Sequence, residues 1–268
     1  MNHNEYFTFE TGQASDVGCV RDVNEDSFLS RPDYGLWVVA DGMGGHAAGD
    51  FASQTIVHEL NSIGLAASPD DLHARFNQRL THANERILAH AAELSSGAVG
   101  ATVAALLIHE AEFACVWSGD SRIYLLRDGQ LSQQSQDHTE VRALLDAGSI
   151  SAEEAENWPR KNVITRAIGV SDVPQCERVS GTLQVGDVFL ICSDGLTEHL
   201  QDTEIAGMLI GTSPQDACTN LVEETLRRGA RDNVTVVAMR CAPPPPHPAV
   251  DEVLMDPEGM APLQDEPS

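Results

Sequence analysis

Residues 36–53 read LWVVADGMGGHAAGDFAS. Leu36, Trp37, Val38, Val39 and Ala40 form an unbroken apolar run, the pattern of a strand buried on both faces. Asp41-Gly42 ends the run with a carboxylate and a turn residue. From residue 47 the period changes: Ala52, Ile56, Val57 and Leu60 fall on one helical face, which predicts a helix over 47–63. A second helix is predicted over 69–94, with Ser68 as its cap and Pro69 in its first turn. Helix thus follows helix, and no strand returns at once to lie parallel to the first.

Short runs rich in branched or aromatic residues recur at 28–29, 102–108, 112–117, 122–126, 187–192 and 234–239, with turn signals between several of them. Asp128-Gly129 predicts a hairpin directly after the 122–126 run. Ser213-Pro214 repeats the cap and first-turn pair before Cys218, Leu221, Val222 and Leu226. Strands gather in groups with helices around them, without strict alternation. The expected class is α+β, with antiparallel sheets covered by helices.

The 268 residues have room for one large domain or two small ones, and residues 1–241 read as one unit. Residues 242–268 hold eight of the thirteen prolines, six acids and no Lys or Arg, which predicts an acidic, proline-rich disordered tail. The formal net charge is −25, and Lys161 is the only lysine. Such a surface repels nucleic acid and anionic membranes, and it is compatible with divalent cations. The six cysteines lack the CxxC spacing of zinc or redox sites and read as small, reduced core residues of a cytoplasmic protein. The opening MNHNEYFTFETGQ shows neither the basic nor the apolar region of a signal peptide. The longest apolar stretch, 99–108, contains Gly100 and is too short to span a bilayer.

Four aspartates stand out by position. Asp41 directly follows the run 36–40, and Asp194 follows 188–192 after one Ser; both precede Gly. Asp120 comes one Ser-Gly step after 113–117, and Asp232 lies just before 234–239. A carboxylate at the edge of an apolar core is costly unless it is paired, hydrogen-bonded or metal-bound. One such residue is usually a turn-former or a helix cap. Four in one chain, with no basic excess to neutralise them, point to hard divalent cations, and all-oxygen ligands favour Mg2+ or Mn2+ over zinc. Upstream, residues 18–26 read GCVRDVNED, with Arg21 among acids and an amide. Its planar fork fits phosphate oxygens, and it fits the neighbouring carboxylates too. Asp22, Asn24 and Asp26 imitate the start of a calcium loop, but Ser27 replaces the required glycine and Asp33 the bidentate Glu.

Taken in order, GCVRDVNEDS (18–27), VVADGMGGHAAGDFAS (38–53), WSGDSRIYLLRDGQL (117–131), DHT (137–139), ITRAIG (164–169), ICSDGLTEHL (191–200) and ARDNVTVV (230–237) resemble the signature of the metal-dependent type 2C protein phosphatases in their compact bacterial form. The resemblance runs from about residue 12 to residue 239. It implies a four-layer αββα sandwich, two central antiparallel β-sheets flanked by helix pairs. It also implies a protein serine/threonine phosphatase that attacks the phosphoester with a water activated between divalent ions. Two or three Mn2+ or Mg2+ ions are the implied cofactors. Phosphorylated proteins, a Ser/Thr kinase or its targets among them, are the implied partners, and a monomer is the default state.

Residue by residue, the resemblance makes Asp41 the bridge between two metals, with the Gly42 carbonyl beside it. Asp194 and Asp232 complete the first metal site. Glu25 holds the second metal, largely through water, and Asp120 joins Asp194 at a third, weaker site. Arg21 grips the substrate phosphate, so Arg21, Asp41 and Asp194 form the implied catalytic centre. Asp26 and Asn233 orient ligands and waters behind them, while Ser193 and Gly195 shape the turn that presents Asp194. Many eukaryotic members have His where this chain has Met43. The leaving-group proton then falls to a metal-held water or to His46, which otherwise structures the following turn. The segment 138–165 corresponds to a flap beside the site. Its basic residues Arg160 and Lys161 are available to a phosphoprotein or to Glu153, Glu154 and Glu156.

Two rival classes can be weighed on the same residues. Gly42-x-Gly44-x-x-Ala47 after a strand imitates a dinucleotide fingerprint, but Asp41 would then face the pyrophosphate. A catalytically weak relative acting as a phosphoprotein-binding regulator has no need of Asp41, Asp194, Asp232 and Arg21 together.

Overall fold

The run at 36–40 lies in strand β3 (Leu36–Met43), and every one of its five side chains is buried. Leu36, Val38 and Ala40 enter one core while Trp37 and Val39 enter another, so alternation along the strand fills two layers at once. That is why no polar residue interrupts the run. The computed structural model describes residues 6–44, 47–94, 98–160 and 163–244.

β3 belongs to an antiparallel sheet with β2 (Asp26–Arg31), β5 (Val103–His109), β6 (Glu112–Ser118) and β9 (Glu177–Thr182), in the order β2-β3-β5-β6-β9. The short β4 (Gly100–Ala101) pairs with the end of β3. The second sheet runs β1 (Thr8–Asp16), β11 (Val234–Ala242), β10 (Val188–Cys192), β7 (Arg122–Arg127), β8 (Gln130–Gln133). Its pairings are antiparallel as well. Trp37, Leu106, Phe113, Phe189 and Val237 fill the space between the sheets.

Outside β3, helices α1 (Ala47–Leu60) and α2 (Pro69–Leu94) cover the first sheet with Ile56, Leu60, Phe76 and Ile87. Two short helices, α3 (Glu140–Asp146) and α4 (Ala152–Glu156), follow β8 within the segment 138–165. The second sheet is covered by α5 (Asp194–Thr197), α6 (Asp202–Leu209) and α7 (Pro214–Arg227) through Leu196, Ile205 and Leu221. The layers are helix, sheet, sheet, helix, which is the α+β sandwich the sequence leads one to expect.

Local signals hold where they were read. The Ser68 and Ser213 hydroxyls accept the amides of Asp71 and Asp216, each at 3.1 Å. Asp128 and Gly129 both have positive φ, the two-residue turn that matches the twist of the β7–β8 hairpin. Other readings are corrected. α1 stops at Leu60, three residues before the predicted end. β11 runs through Ala242, and the Thr8 hydroxyl donates to the Pro243 carbonyl at 2.8 Å, so chain beyond Cys241 still belongs to the sheet. The rest of the predicted tail, residues 245–268, lies outside the described residues. The dinucleotide reading fails because β3 has antiparallel neighbours and α1 leads into α2. Cys115, Cys192, Cys218 and Cys241 are buried, but Cys19 is exposed on the loop after Gly18. Among the described residues no helix is long and apolar enough to cross a membrane.

Candidate active site

Strand ends from both sheets deliver the acidic residues to one place. The β2–β3 register sets Asp26 opposite Asp41. Asp194 opens α5 one residue, Ser193, after the end of β10, and Asp232 precedes β11. The Ser193 amide donates to the Thr235 carbonyl at 3.0 Å, which lays the two turns side by side. Two glycines permit this closeness. A Cβ on Gly195 would come within 1.9 Å of the Asn233 carbonyl oxygen, and one on Gly42 within 2.2 Å of the Gly49 oxygen.

A layer of neutral hydrogen bonds fixes the acids from behind. Asn233 Oδ1 accepts the Glu25 amide at 2.8 Å, while its Nδ2 donates to the carbonyls of Val17 and Val23 at 2.9 and 3.0 Å. One side chain thus holds both arms of the loop that carries Arg21. Ser193 Oγ donates to Asp26 Oδ2 at 2.8 Å and accepts the Thr235 amide at 3.0 Å. Thr102 Oγ1 accepts the Asp41 amide at 3.0 Å and pairs with Ser121 Oγ at 2.7 Å, linking the Asp41 and Asp120 turns.

The electrostatics are those of crowded carboxylates, Asp26 and Asp120 buried and Asp41 and Asp194 half-buried. Burial first, then Asp26, Asp194, Asp120 and Asp232, raise the Asp41 proton affinity well above the carboxylate range. Asp194 is raised likewise by burial, Asp120 and Asp232. Burial pushes Asp26 up to about 6, against the hydrogen bonds from Thr235 and Ser193. Asp120 is pushed up to about 7 by burial and Asp137. At the rim Arg21 Nη2 meets Asp232 Oδ2 at 2.7 Å, and the arginine's own pKa rises through that contact.

This donor set suits a hard divalent cation. Its charged members are oxygen ligands, and Asp26 Oδ1 is buried with no hydrogen-bond partner. Among the described residues no three acid, His or Cys side chains close on a single point; the carboxylates surround the space, with Asp232 turned to Arg21. A cavity of 320 Å3 adjoins it, with Asp120, Asp194 and Glu198 on one wall and Val141, Leu145 and Ala155 of the flap on the other.

Residues 20–235 match the profile of a family described as Protein phosphatase 2C. The chain belongs to that family. It is 38% identical over 224 residues to the serine/threonine protein phosphatase PstP of Mycobacterium tuberculosis, covering 83% of this chain and 43% of PstP, so the match spans under half of that relative. With the serine/threonine phosphatase stp of Listeria welshimeri it shares 32% identity, over 83% of this chain and 92% of the relative. Among solved structures, PppA, described as a key regulatory component of T6SS in Pseudomonas aeruginosa, superposes with a TM-score of 0.82 at 39% identity, over 88% of this chain and 99% of PppA. The catalytic domain of PstP in complex with two manganese ions gives 0.79 at 35% identity, over 88% and 99%.

Within this 2C phosphatase fold, Arg21, Glu25, Asp26, Asp41, Gly42, Asp120, Asp194, Asp232 and Asn233 all reach the same rim. His46 and Lys161 lie outside the described residues. Among the described side chains Arg160 pairs with Glu140 at 2.9 Å, not with Glu153 or Glu154. Sequence reading missed Thr102 and Ser121, which join Asp41 to Asp120, and the Arg122–Asp137 pair at 2.6 Å on the cavity wall. A small hydroxyl residue inside an otherwise apolar strand run was the available signal for Thr102.

Proposed function

We propose that this chain is a metal-dependent protein serine/threonine phosphatase whose catalytic domain runs through the end of β11 at Ala242, with the proline-rich residues that follow as an acidic tail. The meeting of Asp41, Asp194 and Asp232 with the Arg21 guanidinium carries the reading. Asp41, the Gly42 carbonyl, Asp194, Asp232 and Glu25 are the residues we assign to two Mn2+ or Mg2+ ions, and Asp120 with Asp194 to a third. Such ions acidify a water and neutralise charge on phosphoryl oxygens. The manganese in the PstP structure supports the assignment by likeness.

The chain's own residues supply position. Arg21 is half-exposed, so its fork can leave Asp232 and take two phosphoryl oxygens. Asn233 keeps that loop at the rim, and Ser193 keeps Asp26 behind it. Substrates are phosphoproteins, a Ser/Thr kinase and its targets among them, and the enzyme works as a cytoplasmic monomer; the relatives' names support the substrate class.

The test is phosphate release from a phosphothreonine peptide in EDTA, Mg2+ or Mn2+. Release should require metal. Arg21→Ala should raise KM by roughly 10- to 100-fold, the worth of hydrogen bonds to a charged group, with a smaller change in kcat. An unchanged KM would remove Arg21 from the phosphate site. No release from folded, metal-loaded wild type would favour a phosphoprotein-binding regulator instead.

A further inference from the structure

The DHT and ITRAIG segments have so far no task, yet they meet around one buried histidine. The His138 amide donates to the Gly119 carbonyl at 2.9 Å, and the Gly119 amide donates back to His138 Nδ1 at 3.1 Å. Gly119 directly precedes Asp120. It has φ +112°, and a Cβ there would lie 2.6 Å from Thr102 Cγ2, so this turn has little room to shift. The chain of contacts continues from Ser121 through Thr102 to the Asp41 amide.

On its other side His138 holds both ends of the flap. Its carbonyl accepts the Thr165 amide at 2.7 Å, and the Glu140 amide donates to the Val163 carbonyl at 2.9 Å. Thr139 bridges to Ile164 and caps α3 by accepting the Arg142 amide at 3.3 Å. The ring stacks on Trp117 at 6.1 Å, and its Nε2 lies 3.3 Å from both Glu177 Oε1 and Arg166 Nη1. Arg166 itself pairs with Glu177 at 2.7 Å.

The tautomer follows from the geometry. A backbone amide only donates, so Nδ1 carries no proton, and Nε2–H donates to Glu177. A second ring proton would set N–H against N–H at Gly119. Burial and the Arg166 guanidinium, against Glu177 and Asp137, hold the ring neutral.

We infer that His138 is a positioning residue whose ring and backbone clamp Gly119, so that the turn carrying Asp120 and the two ends of the flap move as one unit. The consequence for catalysis rests on the reading of Asp120 above. The clamp itself does not, because it is measured without metal.

Amide hydrogen exchange on the full chain in EDTA tests it, on wild type, His138→Gln, His138→Asn and Glu177→Ala. In His138→Gln the amides of Gly119, Glu140 and Thr165 should speed up together, on the order of 10-fold or more. His138→Asn places a carbonyl oxygen close to the position of Nδ1 and should restore Gly119 protection. Glu177→Ala removes the ring's exposed anchor together with the Arg166 pair and keeps the test open if His138→Gln does not fold; it should loosen the same amides by a few-fold. In the metal-loaded enzyme, His138→Gln should lower kcat on a phosphopeptide by on the order of 10-fold, and His138→Asn should recover most of it. Unchanged Gly119 exchange in folded His138→Gln or, where that variant does not fold, in Glu177→Ala, or exchange at Gly119 that rises while Glu140 and Thr165 stay protected, would overturn the clamp. Coupled exchange with unchanged kcat would leave the clamp standing and sink the role of Asp120.

Discussion

Asp194→Asn is expected to lower kcat on a phosphothreonine peptide by roughly 10³-fold or more, the scale seen when a principal electrostatic group is lost. The same variant should raise the melting temperature of the metal-free protein. Asp194 is half-buried at the start of α5, and desolvation, Asp120 and Asp232 hold its proton affinity well above the usual range. An amide of the same shape removes that repulsion and keeps the turn. It also removes an anionic ligand that a hard cation needs. About 1 kcal/mol of relief corresponds to roughly 2–4 °C in a domain of this size. Calorimetry in EDTA and phosphate release in Mn2+ read the two effects on one preparation. Normal turnover by a folded Asp194→Asn protein would end the metal assignment, and a lower melting temperature in EDTA would end the account of repulsion. Gain of stability beside loss of activity is the pattern of a site held against its own folding preference.

In EDTA the melting temperature is also expected to rise as pH falls from about 8 to about 6, the reverse of the common trend. Asp26 titrates at about 6 and Asp120 at about 7 in the folded chain, against about 3.9 when unfolded. The native state therefore binds more protons in this window. The stability these groups contribute is fully present below the unfolded value and is lost as pH rises through 6 to 7. His73 and His138 act in the opposite sense near and below about 6.5, since their folded pKa values are lowered by burial first. Asp26→Asn removes one of these two carboxylates and should flatten the slope. Saturating Mn2+ should flatten or invert it, because the cation takes the protons' place. A metal-free melting temperature that falls steadily from pH 8 to pH 6, unaltered in Asp26→Asn, would contradict this.

What could be read from the sequence was what burial enforces. β3 and β10 carry apolar side chains on both faces, so their runs are continuous, and the acids that end those runs announce themselves. β1, TFETGQASD, and β9, ERVSGT, were not legible as strands. Each is a sheet edge with mostly half-exposed or exposed side chains, and neither needs an apolar pattern. Arg160 found Glu140, twenty residues away, in preference to acids close in sequence, a choice made by the path of the flap and by no local signal. The triple hold of Asn233 on Val17, Val23 and Glu25 likewise joins residues more than two hundred apart. Resemblance pointed to Asn233; only the fold shows what it grips.

Among the described residues β1 pairs with β11 alone, Thr8 facing Ala242 and Asp16 facing Val234. Of the described strands, β1 is thus made first and waits for β11, which is made last. Until residues 234–242 emerge, β1 is an unpaired edge, open to wrong partners. During that interval the Asp232–Asn233 corner does not exist, and the loop with Arg21 has nothing to hold it. Closing the sheet joins the two most distant strands of the chain, a slow kind of step. The site therefore cannot form before β11 is made: Arg21, Glu25, Asp26 and Asp41 are in the chain long before, but the strand and corner that align them come only with residues 232–242.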